Sequence, residues 1–178
     1  PASSSRFHAH DNVIIGNTVL YGATGGMMFA SGKAGERFAV RNSGAWTVVE
    51  GVGDHACEYM TGGVVVVLGP TGRNLGAGMS GGVSYVLDLN DEVKDNLNPE
   101  MVGATDITDP DDEELLKALI GRHAERTYSQ RAEEVLNNWG RYLPKFRKIT
   151  PLPHVAPPLP REQQRAKRDA LLRANSKL

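Results

Sequence analysis

The sequence predicts a mainly β fold: a parallel β-helix, a single-stranded solenoid of about four or more turns, followed by a helical C-terminal segment. Three observations predict it. The chain repeats four times at a pitch of 18 to 19 residues, as GNTVLYGATGGMMFASGKA from Gly16, GERFAVRNSGAWTVVEGV from Gly35, GDHACEYMTGGVVVVLGPT from Gly53 and GRNLGAGMSGGVSYVLDLN from Gly72. At the tenth position of each unit a second glycine recurs (Gly25, Gly44, Gly62, Gly81), preceded by Thr or Ser and followed by Gly or Ala. A short apolar run comes next (MMFA, WTVV, VVVV, VSYV), rich in β-formers and too short for a helix. A fixed period of this length marks a solenoid, because each unit is one element whose apolar face only the next copy can cover.

Taken in order, residues 1–11 carry no repeat, and residues 12–90 form the β-helix. Each coil supplies one strand. Alternate strand positions are apolar in all four copies (Met27, Phe29; Trp46, Val48; Val64, Val66; Val83, Tyr85) and are expected to point inward, whereas Met28, Thr47, Val65 and Ser84 are mixed. A ladder of Val19, Phe38, Ala56 and Leu75 at the fourth position of each unit suggests a second wall. Glycines closing the run at Gly32, Gly51 and Gly69 fit sharp corners. Two or three short strands per coil, stacked about 4.8 Å apart, complete the expected winding. Asp88 replaces the closing glycine of the fourth unit, so the solenoid ends there and residues 91–107 read as an exposed acidic connector.

Residues 108–149 read as a helical pair. Asp109 is the candidate N-cap with Pro110 at the first helical position, and Leu115, Leu116, Leu119, Ile120 and His123 fall on one face. Thr127 to Gln130 has capping-box form, with Tyr128, Ala132, Val135, Leu136 and Trp139 as the buried stripe of a second helix. The pair is expected to cover the side or end of the solenoid, since an open end presents unpaired strands. Residues 150–178 read as a Pro-rich linker, with five of the ten prolines between Pro151 and Pro160, and a basic tail.

The net charge of -1 gives no global pull toward nucleic acid or an anionic membrane. The charge is segregated nonetheless: eleven acids against Lys94 between Asp88 and Glu114, and six bases against Glu162 and Asp169 from Arg161 onward. A single cysteine, Cys57, excludes an internal disulfide, and the sequence holds no secretory or membrane-length apolar stretch, which points to a reducing, cytoplasmic location. Gly76 to Gly81 spells G-x-G-x-x-G, but a dinucleotide fingerprint must open a helix and strand-like VSYVLDL follows. Asp54-His55-Ala56-Cys57-Glu58 gathers reactive side chains on one segment whose neighbours point to opposite faces, so a buried structural cysteine is the favoured reading. His8, His10, His123 and His154 are scattered. No catalytic, cofactor or metal residue is assigned. The assigned positions are the repeat glycines Gly16, Gly25, Gly35, Gly44, Gly53, Gly62, Gly72 and Gly81.

These repeats resemble a known family. The stretches NVIIGNTVLYGATGG, AGERFAVRNSGA, VVEGVGDHACEYMTGGVVVVLG and TGRNLGAGMSGGVSYVLDL, within Asn12 to Leu89, resemble the C-terminal glycine-repeat (GXGXG) domain of the glutamate synthase large subunit. The family's G-xx-G-xxx-G motif stands at Gly69, Gly72 and Gly76, and in part at Gly32, Gly35 and Ala39. HAERTYSQRAEEVLNNW and LPKF look like the segment that follows there, so the likeness covers most of residues 12–149. It implies a right-handed β-helix that acts as a non-catalytic scaffold between the glutaminase and FMN synthase domains of a flavoenzyme making L-glutamate from L-glutamine and 2-oxoglutarate. That enzyme uses FMN and an iron–sulfur cluster, and the resemblance implies neither in this chain. Self-association through the solenoid end is a further expectation. Two other readings compete: an autonomous β-helix ligand-binding module, weakened by the presence of only two tryptophans, and a glycine-solenoid subunit of a formylmethanofuran-dehydrogenase-like complex, disfavoured by DHACEYMTGG.

Overall fold

The structure, a computed structural model, describes residues 7–156 together with Glu162, Arg165, Ala166, Asp169 and Arg173. The remainder of the expected basic tail lies outside the described residues. In chain order the elements are β1 (Val13–Ile15), β2 (Met27–Ala30), β3 (Lys33–Ala34), β4 (Ser43–Val49), β5 (Thr61–Val67), β6 (Gly81–Leu87), α1 (Val93–Asn96), β7 (Val102–Asp106), α2 (Pro110–Thr127), α3 (Gln130–Asn137), α4 (Trp139–Tyr142) and β8 (Phe146–Pro151). The fold is mainly β, a stack of about four parallel coils with added helices. β2, β4, β5 and β6 pair in parallel, one coil on the next, and the repeat positions fall into register as Met27, Trp46, Val64, Val83 and as Phe29, Val48, Val66, Tyr85.

The wall opposite this sheet differs from the expected second strand. Its third, fifth and seventh unit positions take positive φ in succession, as at Arg37, Ala39 and Arg41 or His55, Cys57 and Tyr59. Such a conformation costs a side-chain-bearing residue about 1 kcal/mol or more. Hydrogen bonds between coils offset that cost: Arg37 N donates to Asp54 O of the next coil, Ala39 N to Val19 O of the previous one, and Arg41 N to Glu58 O of the next. The ladder Phe38, Ala56 and Leu75 is buried inside this wall, with Val19 partly covered above it.

The sheet buries both faces, and this reverses the expected orientation of its side chains. Val49, Val65, Val67 and Val86 join Phe38, Ala56, Met60, Leu75 and Met79 in the solenoid lumen, with Met28 packed against them. Trp46, Val48, Val64, Val66 and Tyr85, expected inward, face out and are covered by Leu115, Leu116, Leu119, Ile120, Ala132, Val135 and Phe146. The lumen is narrow, so it takes the smaller row, Thr47 and Ser84 included. The large residues meet helices. A strand covered on both faces reads as almost continuously apolar, which removes the alternation that would reveal the inside.

Beyond the solenoid the chain is more ordered than a connector plus a helical pair. Residues 91–107 contain α1 and strand β7, and the helical region ends in strand β8. β8 runs antiparallel to β6 (Ser84↔Ile149 to Leu87↔Phe146) and to β7, so it closes that end of the stack. At the other end β2 is the outermost strand of the six. Asp109 caps α2 through a bond from Asp111 N, with Pro110 beside it, and the expected face Leu115 to His123 is buried. The second helix begins later than expected. Ser129 is its cap, accepting from Ala132 N, because Thr127 still belongs to α2 and donates its hydroxyl to His123 O at 2.6 Å. Tyr128 takes a left-handed turn between the helices and is 86% exposed, so it leaves the expected buried stripe.

Candidate functional site

The repeat glycines occupy two columns where successive coils touch backbone to backbone. A Cβ on Gly44, Gly62 or Gly81 would drive into the carbonyl oxygen of Thr24, Ser43 or Thr61 in the coil before. Gly35, Gly53 and Gly72 likewise lie against the backbone of the preceding coil, and Gly35 and Gly72 also against a side-chain oxygen there, of Asn17 and Asp54. Close approach, and not a positive φ, makes these glycines necessary. On the first coil the same two columns are open: a Cβ on Gly16 or Gly25 would meet nothing within 4 Å.

Two polar nodes, one buried and one half-buried, fasten the helices to the solenoid, and the sequence singled out neither. At one, Glu50 follows β4 at the corner before Gly51 and is 1% exposed. Its Oε1 accepts from Ser129 Oγ, from His123 Nε2 at 3.2 Å and from Ser31 Oγ at 3.4 Å. Burial alone would push the carboxyl up, but bonds from His123 and Ser129 and the His123 charge outweigh it and hold the group below its ordinary value. A serine, a histidine and a glutamate meet here without forming a nucleophile relay, since the carboxylate accepts from both partners and the imidazole does not stand between them. All three are fully buried, so no substrate reaches them. The only sequence signals were an acid next to a recurrent glycine corner of the repeat, Gly51, and a histidine on an apolar helix face. At the second node Asp112 accepts from Tyr85 Oη and Lys148 Nζ, each at 2.6 Å, tying the head of α2 to β6 and β8.

The reactive cluster of the third coil is dispersed by the backbone. Cys57 points into the lumen, and burial pushes its thiol up to about 12, with Ser84 pulling slightly the other way. Such a thiol is a poor nucleophile. Asp54 instead faces out and receives Arg73 N at 2.8 Å and the Arg73 guanidinium at 2.8 and 3.1 Å, while His55 Nδ1 lies 2.7 Å from Glu58. Gly76 to Gly81 runs into strand β6, with no helix to meet a phosphate. Among the described residues no group of three or more His, Cys, Asp and Glu is placed to hold a metal. A cleft of about 150 Å³ beside Asp88 and Arg131 is small. A shallower one is lined by Asp91, Asp106 and the Arg147 that pairs with both. Among the described residues this arrangement stacks coils and binds helices to them.

Known proteins share this pattern. The family model described as the GXGXG motif matches residues 1–152. The ferredoxin-dependent glutamate synthase 2 of Synechocystis is 55% identical over 151 residues, 85% of this chain and 10% of that protein. The chloroplastic ferredoxin-dependent glutamate synthase of Spinacia oleracea is 52% identical over 151 residues, 85% of this chain and 9% of its own length. The NADH glutamate synthase of Schizosaccharomyces pombe is 52% identical over 156 residues, 88% and 7%. The chain therefore spans about a tenth of the length of the curated relatives it matches.

Proposed function

The chain belongs to the GXGXG-motif family, and from that premise we propose that it is the glycine-repeat domain of a glutamate synthase large subunit, acting as a non-catalytic scaffold packed between the glutaminase and FMN synthase domains. One observation carries the reading: from the second coil onward the recurrent glycines are spent on coil stacking, with a carbonyl of the preceding coil against each of Gly44, Gly62 and Gly81. An iron–sulfur cluster of the kind implied for the parent enzyme does not fit these residues. An iron–sulfur cluster takes several thiolates, and this chain has one cysteine, buried and held protonated. Contact with neighbouring polypeptide, a second copy included, is assigned to the open end, where among the described residues β2 is the outermost strand and Val13, Ile14 and Tyr21 are exposed. Among the described residues no helix is long and apolar enough to cross a membrane. The spinach relative is chloroplastic by name, so the proposed location is a reducing compartment and not the cytoplasm in particular.

The test is direct. The purified chain is expected to show no flavin absorbance and neither glutaminase activity nor glutamate formation, and to co-purify with a separately supplied flavin domain. Bound flavin or turnover by the isolated polypeptide would overturn the scaffold reading. Sedimentation of the chain alone reports whether the open end pairs with itself.

A further inference from the structure

On the wall opposite the sheet, away from the helices, the winding demands a left-handed residue at the third and seventh unit positions. Gly22, Asn74 and Gly78 meet that demand with little strain in the first and last coils. The two middle coils place Arg37 and Arg41, then His55 and Tyr59, at the same positions. Arg37 and Arg41 are exposed, and so is Tyr59, at 57%. Neither guanidinium enters an ion pair among the described residues. A strained backbone under side chains that the fold does not bury is the kind of outlier that points to function. The neighbouring groups are held in place. Tyr59 rests against the next coil, where a Cβ on Gly78 would come within 2.4 Å of its ring, His55 Nδ1 lies 2.7 Å from Glu58, and Arg73 is bonded to Asp54. Arg41 and Tyr59 stand one coil apart, about 4.8 Å.

We propose that this wall is an interaction surface for an acidic polypeptide surface, with carboxylates of the partner seated on Arg37 and Arg41 and an apolar side chain on Tyr59. The planar guanidinium fork matches a carboxylate with two parallel hydrogen bonds. Arg and Tyr are the residues that dominate binding energy at protein interfaces, and a ring already fixed against Gly78 loses little freedom when a partner covers it. The signs of charge also select the partner. Glu36, Asp54 and Glu58 lie among the cations of this wall, so the unbroken row of phosphates on a nucleic acid would be repelled where a protein surface can match charge for charge. That the partner is a domain of the same enzyme rests on the scaffold reading above; its acidic chemistry does not. The wall is a second face of contact, distinct from the open end.

Capture of the full chain by an immobilised oligoglutamate peptide, and separately by the glutaminase and flavin domains, tests this at about 50 mM NaCl. The double variant Arg37→Glu, Arg41→Glu is expected to weaken capture by the peptide and by one of the domains roughly ten-fold, and Tyr59→Ala to weaken capture by that domain to a similar extent. Lys94→Glu with Arg126→Glu changes the net charge equally at exposed sites elsewhere and should stay within about two-fold. Arg41→Gly should weaken capture yet leave the thermal midpoint unchanged or raised, because glycine already holds that position at Gly22 and Gly78. Wild-type chain that binds neither peptide nor domain, equal losses from the two charge reversals, or an Arg41→Gly variant that fails to fold overturns the proposal. Tighter capture by single-stranded DNA than by the peptide overturns the acidic partner. Peptide capture that needs Arg37 and Arg41, with no capture by either domain, supports the acidic surface and counts against the scaffold reading instead.

Discussion

Single glycines differ in what they are for, and their position in the stack decides it. A methyl on Gly62 collides with the Ser43 carbonyl, whereas the same methyl on Gly25 enters open space. Gly62→Ala is expected to cost about 3 kcal/mol, as overpacking does, and Gly25→Ala to stay within about 0.5 kcal/mol in the isolated chain. Urea unfolding of the two variants checks the contrast, and equal losses would refute the stacking account. Glu50 is the other residue with a sharp signature. Its carboxyl is held below the ordinary value of 4.5, so its stabilisation is complete above that value and lost as pH falls through the lower folded one. Glu50→Gln should cost about 2 kcal/mol near neutral pH, the worth of hydrogen bonds to a charged group. The gap from wild type should narrow below about pH 4.5, measured as unfolding midpoints from pH 7 to 3. A gap independent of pH would show that the carboxylate charge is not what the node uses.

Elements were legible wherever a local signal had no competitor. Asp109-Pro110 had none, and α2 starts there with the expected face buried. At the next helix two hydroxyls competed. Ser129 won because its Oγ reaches both Ala132 N and Glu50, a partner 79 residues away that no local pattern contains. Ser129→Ala should therefore cost more than an ordinary cap loss, about 2 to 3 kcal/mol, and Thr127→Ala clearly less. Thermal unfolding ranks them, and the reverse order would return the cap to Thr127. β7 and β8 were unreadable for the same kind of reason. GATD and RKIT gain strand character only by pairing with each other and with the β6 edge. The inside and outside of the repeat strands were exchanged because apolar cover on both faces left size, and not polarity, as the only clue.

At the scale of the whole molecule, coils wound in series are held to one another by hydrogen bonds and by an external layer of helices. α2 packs across β2, β4 and β5 at once, and Glu50 and Asp112 fix its two ends. Hydrogen exchange should find the slowest amides in β5 and β6, each enclosed between two strands, and the fastest sheet amides in the edge strands β2 and β7. Equal protection from β2 to β6 would mean that something already covers the open end. The direction of the bonds between coils has a mechanical consequence. They run along the axis of the winding, so tension applied between its ends would peel coils one after another at low force. A helix laid lengthwise over three of them shares that load like a splint on a stack of rings, and a body placed between moving neighbours resists stretching chiefly through its flank.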